Sequence, residues 1–268
     1  MPRLELIEHP DDPRIEAYRE VRERDLVGRQ GLFVAEGEVV LGRLIAGSRF
    51  RTLSALVDSR RLAKLGPVLD VLSDDVPVFH ARREVLDSIT GFPIHRGILG
   101  LGARLQHAGA AELLASLRPD AVVLALFGIA NHDNLGGIFR NAAAFGVDAV
   151  ILDPHCCDPL YRKALRVSVG GVLQVPYATA ALGEDLPALL KARGFEVLAL
   201  TPVGETPLNQ IKPSRRTAVL LGAEGPGLSP EVIAAAQGVR IDMAAGFDSL
   251  NVATTSGIVL HHLTSGGA

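Results

Sequence analysis

Along the first hundred residues, short apolar runs alternate with charged stretches in which apolar positions recur every three or four residues. Ile15, Tyr18, Val21 and Leu26 fall at roughly helical spacing among charges, which predicts a surface helix over Pro13–Arg29. The same reading gives strands at Leu32–Ala35, Leu53–Val57, Val76–Phe79 and Gly97–Leu101, and helices at Glu38–Ala46, Arg60–Val71 and Arg83–Thr90. Gly47 supplies a stop for the first of these helices. This alternation predicts a small α/β domain over residues 1–105. Residues 106–119 include the small and polar run Gln106-His107-Ala108-Gly109-Ala110, end at Arg118-Pro119, and are expected to form a linker.

From residue 120 the rhythm changes. Ala121–Phe127 is apolar at every position, the pattern of a strand covered on both faces. Further strands are predicted at Ala149–Leu152, Gln174–Pro176, Glu196–Leu200, Ala218–Leu221 and Val239–Ile241. Helices fit between them near Leu135–Phe145, Tyr161–Val167, Asp185–Arg193, Ser229–Ala236 and Ser249–His262. The order predicts a doubly wound parallel sheet over residues 120–268, with ligands at the carboxyl ends of its strands.

Composition adds exclusions. Apolar residues are 48% and charged residues 21% of the 268, with a net charge of −3, which excludes a mainly disordered chain. The longest apolar runs fall far short of a membrane span, and Met1–Arg14 lacks the apolar stretch of a signal peptide. Cys156 and Cys157 are the only cysteines and are adjacent, so no disulfide framework is possible. A soluble, cytoplasmic protein without membrane partners is expected. The net charge does not indicate a globally basic nucleic-acid binder, yet most of the arginine lies before residue 119. Arginine suits phosphate, although for runs such as Arg22-Glu23-Arg24-Asp25, where it alternates with acids, a solvated helix face is the better default.

Three segments carry candidate chemistry. In Gly128–Gly146, a strand end is followed by Asn131, His132, Asp133 and Asn134, and then by Gly136 and Gly137 opening a small-residue helix. Its Asn and Asp side chains can cap the helix or bind a polar ligand, and Arg140 can meet a phosphate, a carboxylate or an internal acid. In Val219–Ser229, a buried strand runs into Gly222, Glu224, Gly225, Pro226 and Gly227. This spacing is neither a dinucleotide fingerprint nor a P-loop, so it is either a loop wrapping a small ligand or a plain glycine turn. In Val239–His262, Asp248 and Ser249 start a helix with Asn251 just inside it, followed by small polar residues suited to tight packing. His261 and His262 at its end fit capping better than metal binding.

Together these segments resemble the signature motifs of the SpoU (TrmH) family of RNA ribose methyltransferases, in the SPOUT superfamily. Asn134, Gly136, Ile138, Arg140 and Ala142 match its first motif, Gly222, Glu224 and Gly227 its second, and Ser249, Leu250, Asn251 and Val252 its third. Phe33–Gly37 and Gly91–Gly97 are similar to parts of the family's small RNA-binding domain. The resemblance implies a C-terminal methyltransferase domain with a deep trefoil knot, S-adenosylmethionine as cofactor, tRNA or rRNA as partner and a homodimer. It also implies catalytic-site roles for Asn134 and Arg140, supported by Ser249 and Asn251, and a cofactor pocket of Leu221, Gly222, Glu224, Gly227, Ile241, Met243 and Leu250. Two departures stand out: Asp242 replaces the proline of Ile-Pro-Met, and Asn141 replaces the commoner threonine after the motif arginine.

Rival readings differ in class. A catalytically inactive, knotted RNA-binding or ribosome-assembly factor would keep the pocket and lose turnover. A nicotinamide oxidoreductase would need a glycine fingerprint that is absent. A metal enzyme would have to use His9, His80, His95, His132, His155 or the cysteine pair, which show no ligand spacing.

Overall fold

The computed structural model describes residues 2–19, 23–90, 97–105, 108–212 and 214–264. Within it the chain divides into two units, one of Met1–Gln106 with Leu160–Gln174 and one of His107–Pro159 with Val175–Ala268. No described helix is long and apolar enough to cross a membrane.

The first unit begins with strand β1 (Arg3–Ile7), which the apolar pattern did not reveal. Leu4 and Leu6 alternate with Arg3 and Glu5, but both leucines are exposed and only Ile7 of this short strand is buried. The helix expected over Pro13–Arg29 is broken. Asp12 accepts a hydrogen bond from the Arg14 amide and starts a 3-10 turn at Pro13–Tyr18, which sends Ile15 and Tyr18 into the core. The Tyr18 hydroxyl meets Ser54 Oγ there at 2.8 Å, and helix α1 (Glu23–Gln30) follows separately. Next come β2 (Leu32–Glu36), α2 (Glu38–Ala46), β3 (Phe50–Asp58), α3 (Leu62–Leu69), β4 (Pro77–Ala81), α4 (Arg83–Thr90) and β5 (Ile98–Arg104). The strands form a mixed sheet in the order β1-β4-β3-β5-β2, parallel between β1, β4 and β3 and antiparallel around β5. Of the expected RNA-domain segment Gly91–Gly97, residues 91–96 lie outside the described residues, as does His95.

The second unit starts earlier than expected. Residues 110–116 of the expected linker form helix α5 (Ala110–Ser116), because Ala110 and Leu114 bury in the core against Ala121 and Phe195. The remaining elements are β6 (Val122–Phe127), α6 (His132–Ala144), β7 (Ala149–Leu152), α7 (Arg162–Val167), α8 (Gly171–Gln174), β8 (Tyr177–Thr179), α9 (Leu186–Ala192), β9 (Glu196–Leu200), β10 (Thr206–Pro207), β11 (Thr217–Gly222), α10 (Pro230–Ala234), β12 (Gln237–Arg240) and α11 (Val252–Thr264). Helices α7 and α8 belong to the first unit, where Arg162 and Arg166 approach the buried Glu36 carboxylate at 3.8 and 3.5 Å. The strand expected at Gln174–Pro176 starts later, at Tyr177. Residues 171–174 are helical, and Pro176, which has no N–H to give a ladder, contributes only its carbonyl to Val150.

Strands β6 to β12 make one seven-stranded, wholly parallel sheet in the order β10-β12-β9-β11-β6-β7-β8. β11 and β6 lie at its centre, which is why Ala218–Leu221 and Val123–Leu126 are apolar without alternation. Their register pairs Gly222 with Phe127, so the loops after both strands leave the sheet at the same level.

Candidate functional site

At that level the first and third segments meet. Asn131 Oδ1 accepts the Asp133 amide at 2.8 Å and caps α6, one turn before the buried Asn134. Gly128, with φ +65°, makes the turn out of β6 and donates to Asp153 Oδ1 at 3.0 Å. Helix α11 packs directly on α6: a Cβ on Gly137 would lie 2.7 Å from that of Ala253. The small residues of both helices therefore serve close approach.

Asn251 is not inside α11, as the sequence reading had it, but is its cap. Its Oδ1 accepts the amides of Ala253 and Thr254 at 2.9 and 3.2 Å, and the helix runs from Val252 to Thr264. Ser249 makes no cap and stays in the preceding exposed loop. The Asn251 amide turns the other way, donating to Asn134 Oδ1 at 2.8 Å and to Glu224 Oε1 at 3.3 Å. Asn134 Nδ2 also donates to Glu224 Oε1. One residue from each of the three segments thus joins a single network.

Glu224 is held there by the glycine loop. Gly227 donates to the Ala223 carbonyl at 3.0 Å, and Gly225 and Gly227 take φ of +82° and +69°, where a side chain is strained. Above this loop opens a cleft of about 520 Å³, within the range of small-molecule sites. Leu221, Gly222, Glu224 and Gly227 line one wall, and Ile241, Met243, Ser249, Leu250 and Asn251 another. Asn134 touches the cleft only through Glu224 and Asn251, and Arg140 does not line it. Arg140 is exposed on α6 and has no ion-pair partner among the described residues.

A profile of the SpoU rRNA methylase family matches residues 121–261, which hold α6, the glycine loop and α11. The chain belongs to the SpoU rRNA methylase family. As a SpoU methylase it is an RNA methyltransferase. An uncharacterized tRNA/rRNA methyltransferase of Mycobacterium tuberculosis is 40% identical over 96% of this chain and 91% of its own length. One from Mycobacterium ulcerans is 30% identical over 94% and 83%. Among solved structures, an AdoMet-bound rRNA methyltransferase from Sinorhizobium meliloti superposes with a TM-score of 0.81 at 23% identity, covering 99% of both chains. The AdoMet complex of AviRb from Streptomyces viridochromogenes gives 0.80 at 19% identity, covering 95% and 98%. These two likenesses establish the fold.

In this SpoU methylase, sequence reasoning missed the third wall of the cleft, Thr201, Pro202 and Val203. Their only signal is position, just past the carboxyl end of β9 beside β11. The unusual Asp242 turns out to be a surface partner: Arg240 Nε donates to it at 2.9 Å, while Arg240 Nη1 holds the Gly204 and Glu205 carbonyls at 3.0 and 2.6 Å. Among the described residues no cluster of three metal-ligating side chains exists. Burial pushes the Cys156 thiol well up and the Cys157 thiol up to about 11, so both stay protonated at neutral pH. His262 Nε2 meets the Ile211 carbonyl at 2.8 Å, and His261 lies edge-on to Phe145.

Proposed function

We propose that this chain transfers the methyl group of S-adenosylmethionine to a ribose 2′-hydroxyl in structured tRNA or rRNA. The observation that carries the reading is the cleft beside the Asn134–Glu224–Asn251 network. Among the described residues Glu224 is the one charged group lining it, surrounded by apolar side chains, glycine-loop backbone and the neutral polar Thr201, Ser249, Asn251 and Thr255. One acid without a base suits a cationic, adenine-bearing cofactor and disfavours a phosphate-bearing one. Leu221, Ile241, Met243 and Leu250 would enclose the apolar part, and the loop from Gly222 to Gly227 would supply backbone groups.

When bound, the cofactor supplies an electrophilic methyl on a positively charged sulfur. The chain's own task is to align the acceptor and manage charge. Arg140, exposed and with no ion-pair partner among the described residues, is available to hold an RNA phosphate and stabilise negative charge on the ribose oxygen as its proton passes to solvent water. A guanidinium is too weak a base to take that proton itself. Asn134 and Asn251 keep the loop edges fixed through Glu224, and Ser249 supports the same site from the cleft wall. Residues 1–105 serve as the RNA-substrate domain, whose arginines favour recognition by shape and backbone. A homodimer, a trefoil knot formed by the C-terminal segment and a cytoplasmic location complete the reading.

Tritiated methyl transfer into total RNA from cells lacking this protein tests it, with products mapped as nuclease-resistant 2′-O-methyl dinucleotides. Incorporation is expected, and Arg140→Ala should abolish it while cofactor binding persists. Label confined to bases, or near-normal turnover by Arg140→Ala, would overturn the assignment.

A further inference from the structure

Asn134 and Asn141 are seven residues apart on α6, two turns or about 10 Å along the axis, so they lie on one stripe of the helix. Each makes a rung to α11. Asn134 meets Asn251 at the cleft, whereas Asn141 Nδ2 donates to the Ala253 carbonyl at 2.7 Å and to Ser256 Oγ at 2.9 Å. Ser256 is fully buried, and its hydroxyl donates to the same Ala253 carbonyl at 2.7 Å. Beside the rung the contact is made of the smallest residues, and the large ring contact of Phe145 with His261 lies toward the far end of the pair. Gly137 faces Ala253, and a Cβ on Gly257 would stand 3.2 Å from Asn141 Nδ2. Such a surface allows close approach but has few ridges to lock one helix against sliding along the other. At the end of the pair nearer the cleft the polar rung therefore sets the register, and Ala253 is only two residues from Asn251.

We infer that Asn141 is a positioning residue for methyl transfer: by fixing α11 on α6 it holds Asn251 against Asn134 and Glu224 beside the cofactor cleft. The inference rests on the cofactor reading above. It gives a role to a side chain that stands outside the cleft and touches none of its lining loop.

The test measures S-adenosylmethionine affinity by calorimetry for the wild type, Asn141→Ala, Asn134→Ala and the double variant. Side-chain amide exchange of Asn251 is followed by NMR in the protein without cofactor. Asn141→Asp, nearly the same shape but lacking both donors, guards against a packing defect. Asn141→Ala and Asn141→Asp should each weaken binding by about tenfold, the scale of one or two hydrogen bonds, and expose the Asn251 amide to exchange. The double variant should bind within about twofold of Asn134→Ala, because the two residues act through one contact. Losses that multiply in the double variant, or an unchanged Asn251 amide in both single variants, would overturn the inference. If the wild type bound no S-adenosylmethionine, the cofactor reading would fail, and amide exchange would still decide the positioning role.

Discussion

Asn251 does two jobs with opposite ends of one side chain, and two substitutions separate them. Its Oδ1 caps α11 through Ala253 and Thr254, and its Nδ2 bridges Asn134 and Glu224. Asn251→Ala removes both, while Asn251→Ser keeps a capping oxygen and loses only the bridge. Losing a cap costs about 1 kcal/mol. Losing the bridge costs about 1 kcal/mol more, since Asn134 Oδ1 is left without that donor. The first turn of α11 should therefore open about 5-fold more often in the serine variant and about 30-fold more often in the alanine variant. Hydrogen exchange at the Ala253 and Thr254 amides reads this locally, without assuming that two units unfold together. Methyl transfer should fall about 5-fold in both variants alike, since the bridge is gone in each. Equal exchange in the two variants would remove the capping role. Normal turnover in Asn251→Ser would show that the bridge does not matter to the site.

Two further outcomes follow from residues already described. Gly222→Ala places a Cβ against the backbone of Gly227 and Leu228, 2.6 Å from the Gly227 carbonyl oxygen, where nothing can swing aside. It should cost about 1–3 kcal/mol in urea melts and abolish cofactor binding by opening the loop, and normal binding would refute that geometry. Asp58 is held below the usual carboxylate range by side-chain hydrogen bonds from Arg60, with Nε at 3.0 Å and Nη2 at 2.7 Å. Its contribution to stability is full above its unfolded value of about 3.9 and is lost as pH falls through the lowered folded value. Urea midpoints of wild type and Asp58→Asn should differ at pH 6, draw together below about pH 4 and converge only once the lowered folded value is passed, and a constant gap would contradict the sign.

How much the sequence disclosed depended on whether a residue's neighbours were local. The central strands were plain because burial on both faces leaves an unbroken apolar run, as in Val123–Leu126. β1 was overlooked because its Leu4–Leu6 alternation is only a few residues long and is followed at once by the polar, proline-containing run Glu8–Pro13. α5 looked like a linker from its small residues, although Leu114 anchors it in the core. Arg14 and Asp12 divided the expected first helix by a local hydrogen bond that periodicity does not register. At the cleft, Gly222, Glu224 and Asn251 were pointed to by the family resemblance, whereas their spacing alone left a plain glycine turn equally open. Thr201–Val203 were not pointed to, since their place in the cleft is set by the pairing of β9 with β11. Nor could the motif tell that Asn251 caps α11 rather than riding within it.

The strand order has a consequence for the chain as it is being made. β6 finds its central neighbour β11 only when about 95 further residues have been synthesised, since Phe127 pairs with Gly222. At a bacterial-scale elongation rate of about 5–20 residues per second, that wait lasts roughly 5–20 s. During it, the apolar edge of β6 has no permanent partner on that side, and the cleft does not exist, because its walls come from β9, β11 and the segment before α11. A chain stalled on the ribosome before Asn251 therefore lacks the last wall of the cleft, so any ligand held there binds and stabilises only chains synthesised past this segment.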